Sequence, residues 1–375
     1  MAFTVFGEGH SIFMKHTIRV RLSASPDRSY NIQVEPGILG RLSAEIMRVA
    51  GGGSVFVIAD STVARLYGSG LRRSLTQAGL RSFLFRFPAG ETSKNSKVVQ
   101  TLHTMLLTHR VRRDDLIVAL GGGVTGDLAG FVAATILRGI RFVQVPTSLL
   151  AQVDSSVGGK VGIDHPLGKN LIGAFHQPRA VFIDPGVLRT LSWRQFRNGL
   201  AEAVKIAAAL DSGFFRWLER HNAGIVRRSP EVLASLVTRA AGLKAAVVER
   251  DEVDTGLRNV LNLGHTLGHA IESASRYRIL HGEAVAIGMV LESGIAHQLG
   301  LLPESDLRRI RALMERMSLP TVLPSTFDRG LFHRSLQLDK KNVARQVRYV
   351  LLRSIGQSVV GIPVPNAMVE RVIAP

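Results

Sequence analysis

Three histidines and one glutamate have the residue types and the spacing of a catalytic metal site. His265 and His269 are four residues apart and would share one face of a helix, and His281 begins another apolar segment. With the upstream Glu202, two histidines and a carboxylate leave a fourth coordination position open, as in catalytic zinc sites. Taken alone, the histidine pair is also compatible with hydrogen-bonded core residues, so the metal interpretation depends on the whole set.

Other residue types narrow the chemistry around this set. Thr266 stands where the HExxH zinc proteases have a glutamate, so that class is disfavoured. The chain has no cysteine, which excludes disulfides and leaves His, Asp and Glu as metal ligands. Taken alone, Lys205 is compatible with a helix salt bridge to Glu202. Four cations could nevertheless surround an anionic substrate beside the metal: Lys160, Lys205, Lys244 and Arg258.

A glycine-rich turn predicts a phosphate-binding site. Residues 116–120 have the pattern of a buried strand, residues 121–127 (GGGVTGD) follow it, and a helix-like stretch covers residues 128–137. Glycines at such a turn let a phosphate approach the N–H groups of the helix N-terminus, although an ordinary structural turn has the same composition. A Rossmann fold would place an acid at the end of the next strand, and none is there. An acid, Asp60, instead ends a strand that precedes the glycine-rich turn. The sequence therefore predicts a nucleotide-binding site, but without the Rossmann order of motifs.

The pattern of strands and helices divides the chain. Strand-like runs cover residues 18–22, 30–34, 54–59, 83–87, 116–120, 142–145 and 180–183, and a helix is predicted for residues 97–108. After about residue 191, helix-like segments dominate at 196–210, 230–250, 266–275, 282–299 and 305–317, with one strand-like run at 347–352. We therefore expect an N-terminal extension (1–17), an α/β nucleotide-binding domain with a parallel-type sheet (18–190) and a mostly α-helical metal- and substrate-binding domain (191–375).

Composition restricts the partners. The formal net charge is +18, but the basic clusters are short and scattered and only 6% of residues are aromatic. We therefore expect a basic enzyme that handles anions and no nucleic-acid partner. No run approaches the ~18 apolar residues needed to cross a bilayer, and the first residues lack a signal pattern, so no membrane association and a cytoplasmic location are expected.

Several longer motifs carry a resemblance to a known family. They are residues 88–94 (PAGETSK), 121–127 (GGGVTGD), 146–160 (PTSLLAQVDSSVGGK), 168–170 (GKN), 199–205 (GLAEAVK), 258–269 (RNVLNLGHTLGH) and 281–285 (HGEAV). In content and order the chain resembles the 3-dehydroquinate synthase family over roughly residues 18 to 355. The resemblance implies an N-terminal α/β nucleotide domain followed by a helical domain, in agreement with the division above.

The resemblance also implies a reaction, two cofactors and a homodimer. The substrate would be 3-deoxy-D-arabino-heptulosonate 7-phosphate and the products 3-dehydroquinate and phosphate. NAD would oxidise the C5 hydroxyl transiently, phosphate would be eliminated, the ketone would be reduced again, and the opened sugar would close by an intramolecular aldol step. One divalent metal, zinc or cobalt, would stabilise the developing alkoxide.

The resemblance assigns roles residue by residue. Metal ligands would be Glu202, His265 and His281. Catalytic residues would be Lys160, Lys205, Lys244, Arg258, Asn262 and His269. Substrate contacts would come from Asp154, Asn170, Lys340 and Lys341, and from Arg138 of a neighbouring subunit. Nucleotide contacts would come from Asp60, Glu91, Lys94, Gly122, Gly123, Val124, Asp127, Thr147, Ser148, Lys169 and Thr190.

Four positions depart from the family pattern: Thr62, Ser148, Gln195 and Asp254. The first three are expected near the nucleotide and would alter NAD affinity. The sugar-binding set is intact, which favours dehydroquinate synthesis over the related cyclases that make deoxy-inosose or valiolone rings. Two further hypotheses are a metal-dependent polyol dehydrogenase and an inactive nucleic-acid-binding relative.

Overall fold

The computed structural model describes residues 28–324, 327–338 and 347–374. The predicted extension at 1–17, the predicted strand at 18–22 and the candidate substrate residues Lys340 and Lys341 lie outside this part of the chain. The described chain consists of a central sheet with helices on both faces, a separate hairpin that lies between the last two sheet strands along the chain, and a helical region.

A six-stranded parallel sheet forms the centre of the first region. Its strands are β1 (Asn31–Val34), β2 (Val55–Asp60), β3 (Ser82–Phe87), β4 (Leu116–Gly121), β5 (Arg141–Pro146) and β8 (Ala180–Ile183); β6 and β7 belong to the hairpin. The order is β1-β8-β5-β4-β2-β3, and every neighbouring pair is parallel. β4 is buried along its whole length, as expected for an interior strand covered on both faces. The predicted parallel α/β sheet is confirmed.

Helices cover both faces of this sheet. They are α1 (Leu42–Ala50), α2 (Ser61–Val63), α3 (Ser69–Gln77), α4 (Ser96–Thr108) and α5 (Gly123–Thr135). Neighbouring residues of β2 face opposite sides, because side chains alternate along a strand. Phe56 packs in the apolar cluster that contains residues of α4 and α5, whereas Val57 packs with α1 and α3. This alternation produces two separate cores, one on each face.

An antiparallel hairpin, β6 (Lys160–His165) and β7 (Gly168–Phe175), lies against α5. It has no counterpart among the sequence predictions, because glycines interrupt the alternating apolar pattern of a strand. Close packing of the hairpin on α5 also requires a glycine in the helix, because a Cβ at Gly130 would overlap the side chain of Val161. The hairpin carries three of the candidate site residues, Lys160, Lys169 and Asn170.

The rest of the described chain is mostly helical, as predicted. It contains α6 (Trp193–Leu210), α7 (Ser212–Val226), α8 (Pro230–Arg250), α9 (His265–Ala274), α10 (His281–Gln298), α11 (Glu304–Arg316), α12 (Arg329–Leu338), α13 (Asn366–Ile373) and the antiparallel strands β9 (Arg348–Ser354) and β10 (Gln357–Pro363). The elements α7, α12, α13 and β10 have no counterpart among the sequence predictions. α10 is buried on nearly all sides and packs against α6 and α9. Among the described residues, every helix is too short or too polar to span a bilayer.

Candidate active site

The three predicted metal ligands come together from three different helices. Glu202 lies inside α6 and is fully buried, His265 is the first residue of α9, and His281 is the first residue of α10. The Oε1 atom of Glu202 lies 3.7 Å from Nε2 of His265 and 3.4 Å from Nε2 of His281. One potential ligand atom from each residue lies within 4.8 Å of the others, so the three groups could hold one ion.

The surroundings of Glu202 fit a divalent cation. Neither carboxylate oxygen has a hydrogen-bond partner among the described residues, although Lys205 forms an ion pair with the group. A buried carboxylate without hydrogen bonds is costly, and a metal ion at this point would compensate for that cost. Burial raises the pKa of Glu202, but the charge of Lys205 and the interaction with His281 outweigh it and lower the pKa. Glu202 is therefore available as an ionised ligand.

Buried hydrogen bonds fix the start of α9 and with it His265. Gly264 precedes the helix with a φ of 77°, a left-handed conformation that favours glycine. Glu292 of α10 is fully buried and accepts hydrogen bonds from the N–H groups of Gly264, at 2.6 Å, and Leu267, at 3.0 Å. The Glu292 carboxylate therefore caps the N-terminus of α9, a role usually played by an N-cap side chain. Sequence reasoning misses Glu292, whose only signal is an acid inside an otherwise apolar helix.

Glu272 of α9 is a second residue that sequence reasoning misses. Its Oε2 atom lies 3.2 Å from Nδ1 of His281, and its Oε1 atom lies 2.6 Å from the ammonium of Lys169. Burial raises the pKa of Glu272, but His281 and Lys169 outweigh it and bring the pKa to about 2. Burial lowers the pKa of His281, whereas its interactions with the carboxylates of Glu202 and Glu272 raise it, to about 10 without a metal ion.

A second set of candidate ligands overlaps the first. His269, Glu272 and His281 also present ligand atoms within 4.8 Å of one another. The two sets use opposite nitrogens of the His281 ring, because Nε2 faces Glu202 and Nδ1 faces Glu272. His269 is exposed, whereas Glu202 and His265 are buried. The buried set is the better enclosed of the two.

Buried cations lie beside the candidate metal centre. Lys244 donates a hydrogen bond of 2.7 Å to the carbonyl oxygen of Asp154 and forms an ion pair with its carboxylate. Burial lowers the pKa of Lys244, while Asp154 opposes this change. Burial raises the pKa of Asp154, but the charges of Lys244 and Lys205 outweigh it and keep the group ionised with a lowered pKa. Lys244 of α8 thus contacts this carboxylate directly, whereas Lys205 of α6 pairs with Glu202 and acts on Asp154 through its charge.

Among the described residues, backbone carbonyl groups hold the guanidinium of Arg258. Its guanidinium donates to the carbonyl oxygens of Gly158, at 3.3 Å, and Glu252, at 3.0 Å, and the residue is buried. Asp251 shapes the loop before it by accepting hydrogen bonds from the N–H groups of Thr255, Gly256 and Arg258 at 2.7 to 3.0 Å. Because no described carboxylate pairs with Arg258, its positive charge is available for an anion.

The candidate nucleotide residues mostly follow the carboxyl ends of the parallel strands. Asp60 ends β2, Gly122 and Gly123 follow β4, and Thr147 and Ser148 follow β5. Ligands of open parallel sheets bind at this edge. The glycines leave room there, because a Cβ on Gly122 would lie 3.2 Å from Oγ of Ser148, and one on Gly123 would lie 3.0 Å from Oγ of Ser155. The α5 N-terminus with its glycines therefore fits a phosphate group.

The other nucleotide candidates lie around this edge. Lys94 forms an ion pair of 2.6 Å with Asp127 and a hydrogen bond with Asn170 of the hairpin. Thr190 shares a hydrogen bond of 2.7 Å with the hydroxyl of Tyr67. Burial raises the pKa of Glu91, which faces the charges of Lys94 and Lys169. The remaining candidate, Val124, is in the first turn of α5.

The structure places the last three predicted site residues in different surroundings. Lys160 forms an ion pair with Asp254, and about half of its side chain is exposed. Asn262 donates to Oδ1 of Asn259 at 3.1 Å. Arg138 is exposed at the end of the α5 segment, in a left-handed conformation with a φ of 66°, and it has no hydrogen bond or ion pair to another residue in the part of the chain that the structure describes.

This fold and site define a class: an α/β sheet with a phosphate-binding edge, joined to a helical region that carries a candidate metal centre. The match to family models is more specific. The family model described as "3-dehydroquinate synthase N-terminal" matches residues 84–198. The model described as "3-dehydroquinate synthase C-terminal" matches residues 199–342. The chain belongs to the 3-dehydroquinate synthase family.

Curated relatives and solved structures agree with this membership. The chain is 48% identical over 335 residues to a 3-dehydroquinate synthase of Pelobacter propionicus, covering 89% of this chain and 93% of the relative. It is 46% identical over 351 residues to that of Nostoc punctiforme, covering 93% and 97%. The 2-epi-5-epi-valiolone synthase of Streptomyces hygroscopicus, solved with NAD+ and Zn2+, superposes with a TM-score of 0.86 at 30% identity, covering 94% of this chain and 98% of that one. A 2-deoxy-scyllo-inosose synthase with carbaglucose-6-phosphate, NAD+ and Co2+ gives 0.84 at 28% identity, covering 91% and 95%.

Proposed function

We propose that this chain is a 3-dehydroquinate synthase, which converts 3-deoxy-D-arabino-heptulosonate 7-phosphate to 3-dehydroquinate and phosphate in the cytoplasm. It is a lyase that eliminates phosphate, uses NAD without net consumption, and needs one divalent metal, zinc or cobalt. The observation that carries the proposal is the convergence of Glu202, His265 and His281 beside buried cations. The curated relatives with this name cover nearly the whole chain.

The two cofactors have separate places in this proposal. Glu202, His265 and His281 hold the metal, and the edge formed by the glycine turn and the residues after β5 holds the dinucleotide, so that residues 18–190 form the nucleotide domain and 191–375 the metal and substrate domain. When bound, the metal supplies a Lewis acid for the C5 alkoxide and NAD supplies a reversible hydride acceptor. The relatives solved with NAD+ and with Zn2+ or Co2+ support the use of both cofactors.

The buried cations bind an anionic group of the substrate and its hydroxyls. Arg258 has no carboxylate partner among the described residues and offers its guanidinium to one anionic group by charge-assisted hydrogen bonds. Lys244 and Lys205 are already directed by Asp154 and Glu202, so they present the remaining N–H donors to substrate hydroxyls in a fixed orientation. His269, exposed beside the metal ligands, contacts the substrate or transfers a proton.

A second copy of the chain completes the site in this proposal. Arg138 would reach the substrate phosphate of the neighbouring subunit, consistent with its exposure. Large apolar side chains are exposed on the nearby hairpin segment: Leu167, Leu171, Ile172 and Phe175. A homodimer that covers part of this surface would remove an apolar patch from water.

The decisive experiment compares phosphate release from three substrates, with and without a chelator. Turnover of the heptulosonate phosphate that is abolished by the chelator and restored by zinc or cobalt supports the proposal. Turnover of only glucose 6-phosphate or sedoheptulose 7-phosphate would instead support the related cyclases, which the two solved relatives make the main competing hypothesis. Accumulation of NADH in proportion to product would indicate a polyol dehydrogenase.

A further inference from the structure

Glu272 connects two parts of the site that come from different regions of the chain. It lies in α9, and its side chain is only 5% exposed. One carboxylate oxygen contacts His281, the first residue of α10, and the other contacts Lys169 of β7 in the hairpin. The ammonium of Lys169 also lies 4.6 Å from the centre of the Tyr277 ring. A single buried carboxylate is thus shared between a candidate metal ligand and a candidate nucleotide residue.

The contact with His281 determines which nitrogen of the ring can bind a metal. A carboxylate only accepts hydrogen bonds, so Nδ1 of His281 must carry the hydrogen in the 3.2 Å contact with Glu272. A metal ion at the candidate site would therefore take the lone pair of Nε2, which faces Glu202 at 3.4 Å, while Nδ1 keeps its hydrogen. Carboxylates in this position orient metal-binding histidines and increase their basicity.

The contact with Lys169 competes for the same charge. Lys169 is about one-third exposed and forms an ion pair of 2.6 Å with Glu272. This ion pair weakens the interaction of the Glu272 carboxylate with His281. An anionic ligand that attracts Lys169 away from Glu272 would strengthen the interaction of the Glu272 carboxylate with His281. The pyrophosphate of a dinucleotide is such a group.

We propose that Glu272 is the positioning residue for His281 and that, through Lys169, it couples dinucleotide binding to metal binding. This inference rests on the proposed ligand set and on the proposed role of Lys169. Bound NAD strengthens the hold of Glu272 on His281, so NAD tightens metal binding, and by thermodynamic reciprocity the metal tightens NAD binding.

The first test measures cobalt affinity of the metal-free full-length protein by competition with a chromophoric chelator. Glu272→Gln keeps the shape and one acceptor but removes the charge, and we expect affinity to fall about 10- to 100-fold with an unchanged cobalt absorption spectrum. Glu219→Gln is the matched control, because Glu219 of α7 pairs with Arg309 of α11 and not with a candidate site residue. This variant should leave the cobalt affinity unchanged. Urea unfolding of each variant checks that all are folded.

The outcomes separate this inference from the proposed function. Wild-type affinity in Glu272→Gln would overturn the positioning role alone. If Glu272→Gln abolished cobalt binding while Glu202→Gln retained it, the metal would lie between His269, Glu272 and His281, and the proposed ligand set itself would fail.

The coupling is tested by repeating the titration with saturating NAD. In the wild type we expect NAD to tighten cobalt binding by about 5- to 150-fold, the usual range of coupling between two sites. In Glu272→Gln this ratio should fall towards one. In Lys169→Gln, cobalt should bind without NAD at least as tightly as in the wild type. An unchanged ratio in Glu272→Gln, a wild-type ratio of one, or weakened cobalt binding in Lys169→Gln would each contradict the coupling.

Discussion

The candidate metal centre and the hairpin hold their charged candidate residues in different surroundings. Glu202 and His265 are buried in helices whose ends are fixed by further buried groups, such as Glu292. Lys160 and Lys169 lie on the β6–β7 hairpin and are about one-half and one-third exposed. Charges in the helical region are therefore already oriented before a ligand arrives, whereas those on the hairpin can exchange protein partners for ligand groups. Substitutions should accordingly have larger effects in the first region than in the second.

The largest expected effect is that of His265→Ala. It removes one of three candidate ligands at a buried position, so metal binding should be lost and kcat should fall by at least about 10³-fold, while the protein remains folded. Activity and bound metal per chain are measured after dialysis against zinc. His103→Ala is the control, because His103 lies in α4 and bonds to Thr135 at the end of α5, whereas the candidate ligands lie in α6, α9 and α10. Full activity of His265→Ala in the presence of a chelator would show that the ligand assignment is wrong.

Arg258→Ala should have the next largest effect and should act on substrate binding. The guanidinium is oriented by two carbonyl oxygens and faces no described carboxylate, so its loss leaves an anionic group of the substrate without a partner. We expect kcat/KM to fall about 10²-fold, mainly through KM, with unchanged metal content. Arg258→Lys keeps the charge without the planar donors and should give an intermediate value. A loss of metal from Arg258→Ala would instead indicate that the loop supports the metal centre.

Glu292→Ala tests how the helical region is held together. It leaves the N–H groups of Gly264 and Leu267 buried without their acceptor, which should lower the free energy of unfolding by about 2–4 kcal/mol. Urea unfolding of the metal-free protein measures this change. Ser293→Ala is the control, because the neighbouring Ser293 is equally buried and its hydroxyl has no hydrogen-bond partner among the described residues. An equal loss of stability in both variants would mean that Glu292 has no special role.

Spacing along the chain and the family resemblance together predict the candidate ligands of this site, but not the residues that hold them. His265 and His269 share a helix face, and the motifs place His281 and Glu202 with them, so the sequence contains the signal for a metal site. Glu292 acts on residues 25 and 28 positions before it, from a neighbouring helix. Its only local signal is an acid inside a largely apolar helix, and this signal does not show its role, which depends on how α10 packs against α9.

Dependence on tertiary packing also explains why the sequence does not predict the β6–β7 hairpin. Apolar periodicity predicts the parallel strands well, because β2 and β4 are covered on both faces. β6 and β7 contain glycines where the two backbones approach closely: a Cβ on Gly162 would overlap with or crowd the backbone of Ile172 and Gly173. Such glycines resemble a loop in the sequence, and only the pairing of the two strands shows why they are required.

Lys160→Gln should have the smallest effect on stability and thus gives the sharpest test of the difference between the two regions. The ion pair between Lys160 and Asp254 is largely exposed on the lysine side, so the free energy of unfolding should change by less than about 0.5 kcal/mol. If Lys160 exchanges Asp254 for the substrate, kcat/KM should nevertheless fall clearly, and Asp254→Asn, which removes the competing carboxylate, should not lower it to the same extent. Urea unfolding and steady-state kinetics on both variants measure the two effects. A stability loss in Lys160→Gln as large as that in Glu292→Ala would show that the hairpin charges are structural, and the distinction between the two regions would fail.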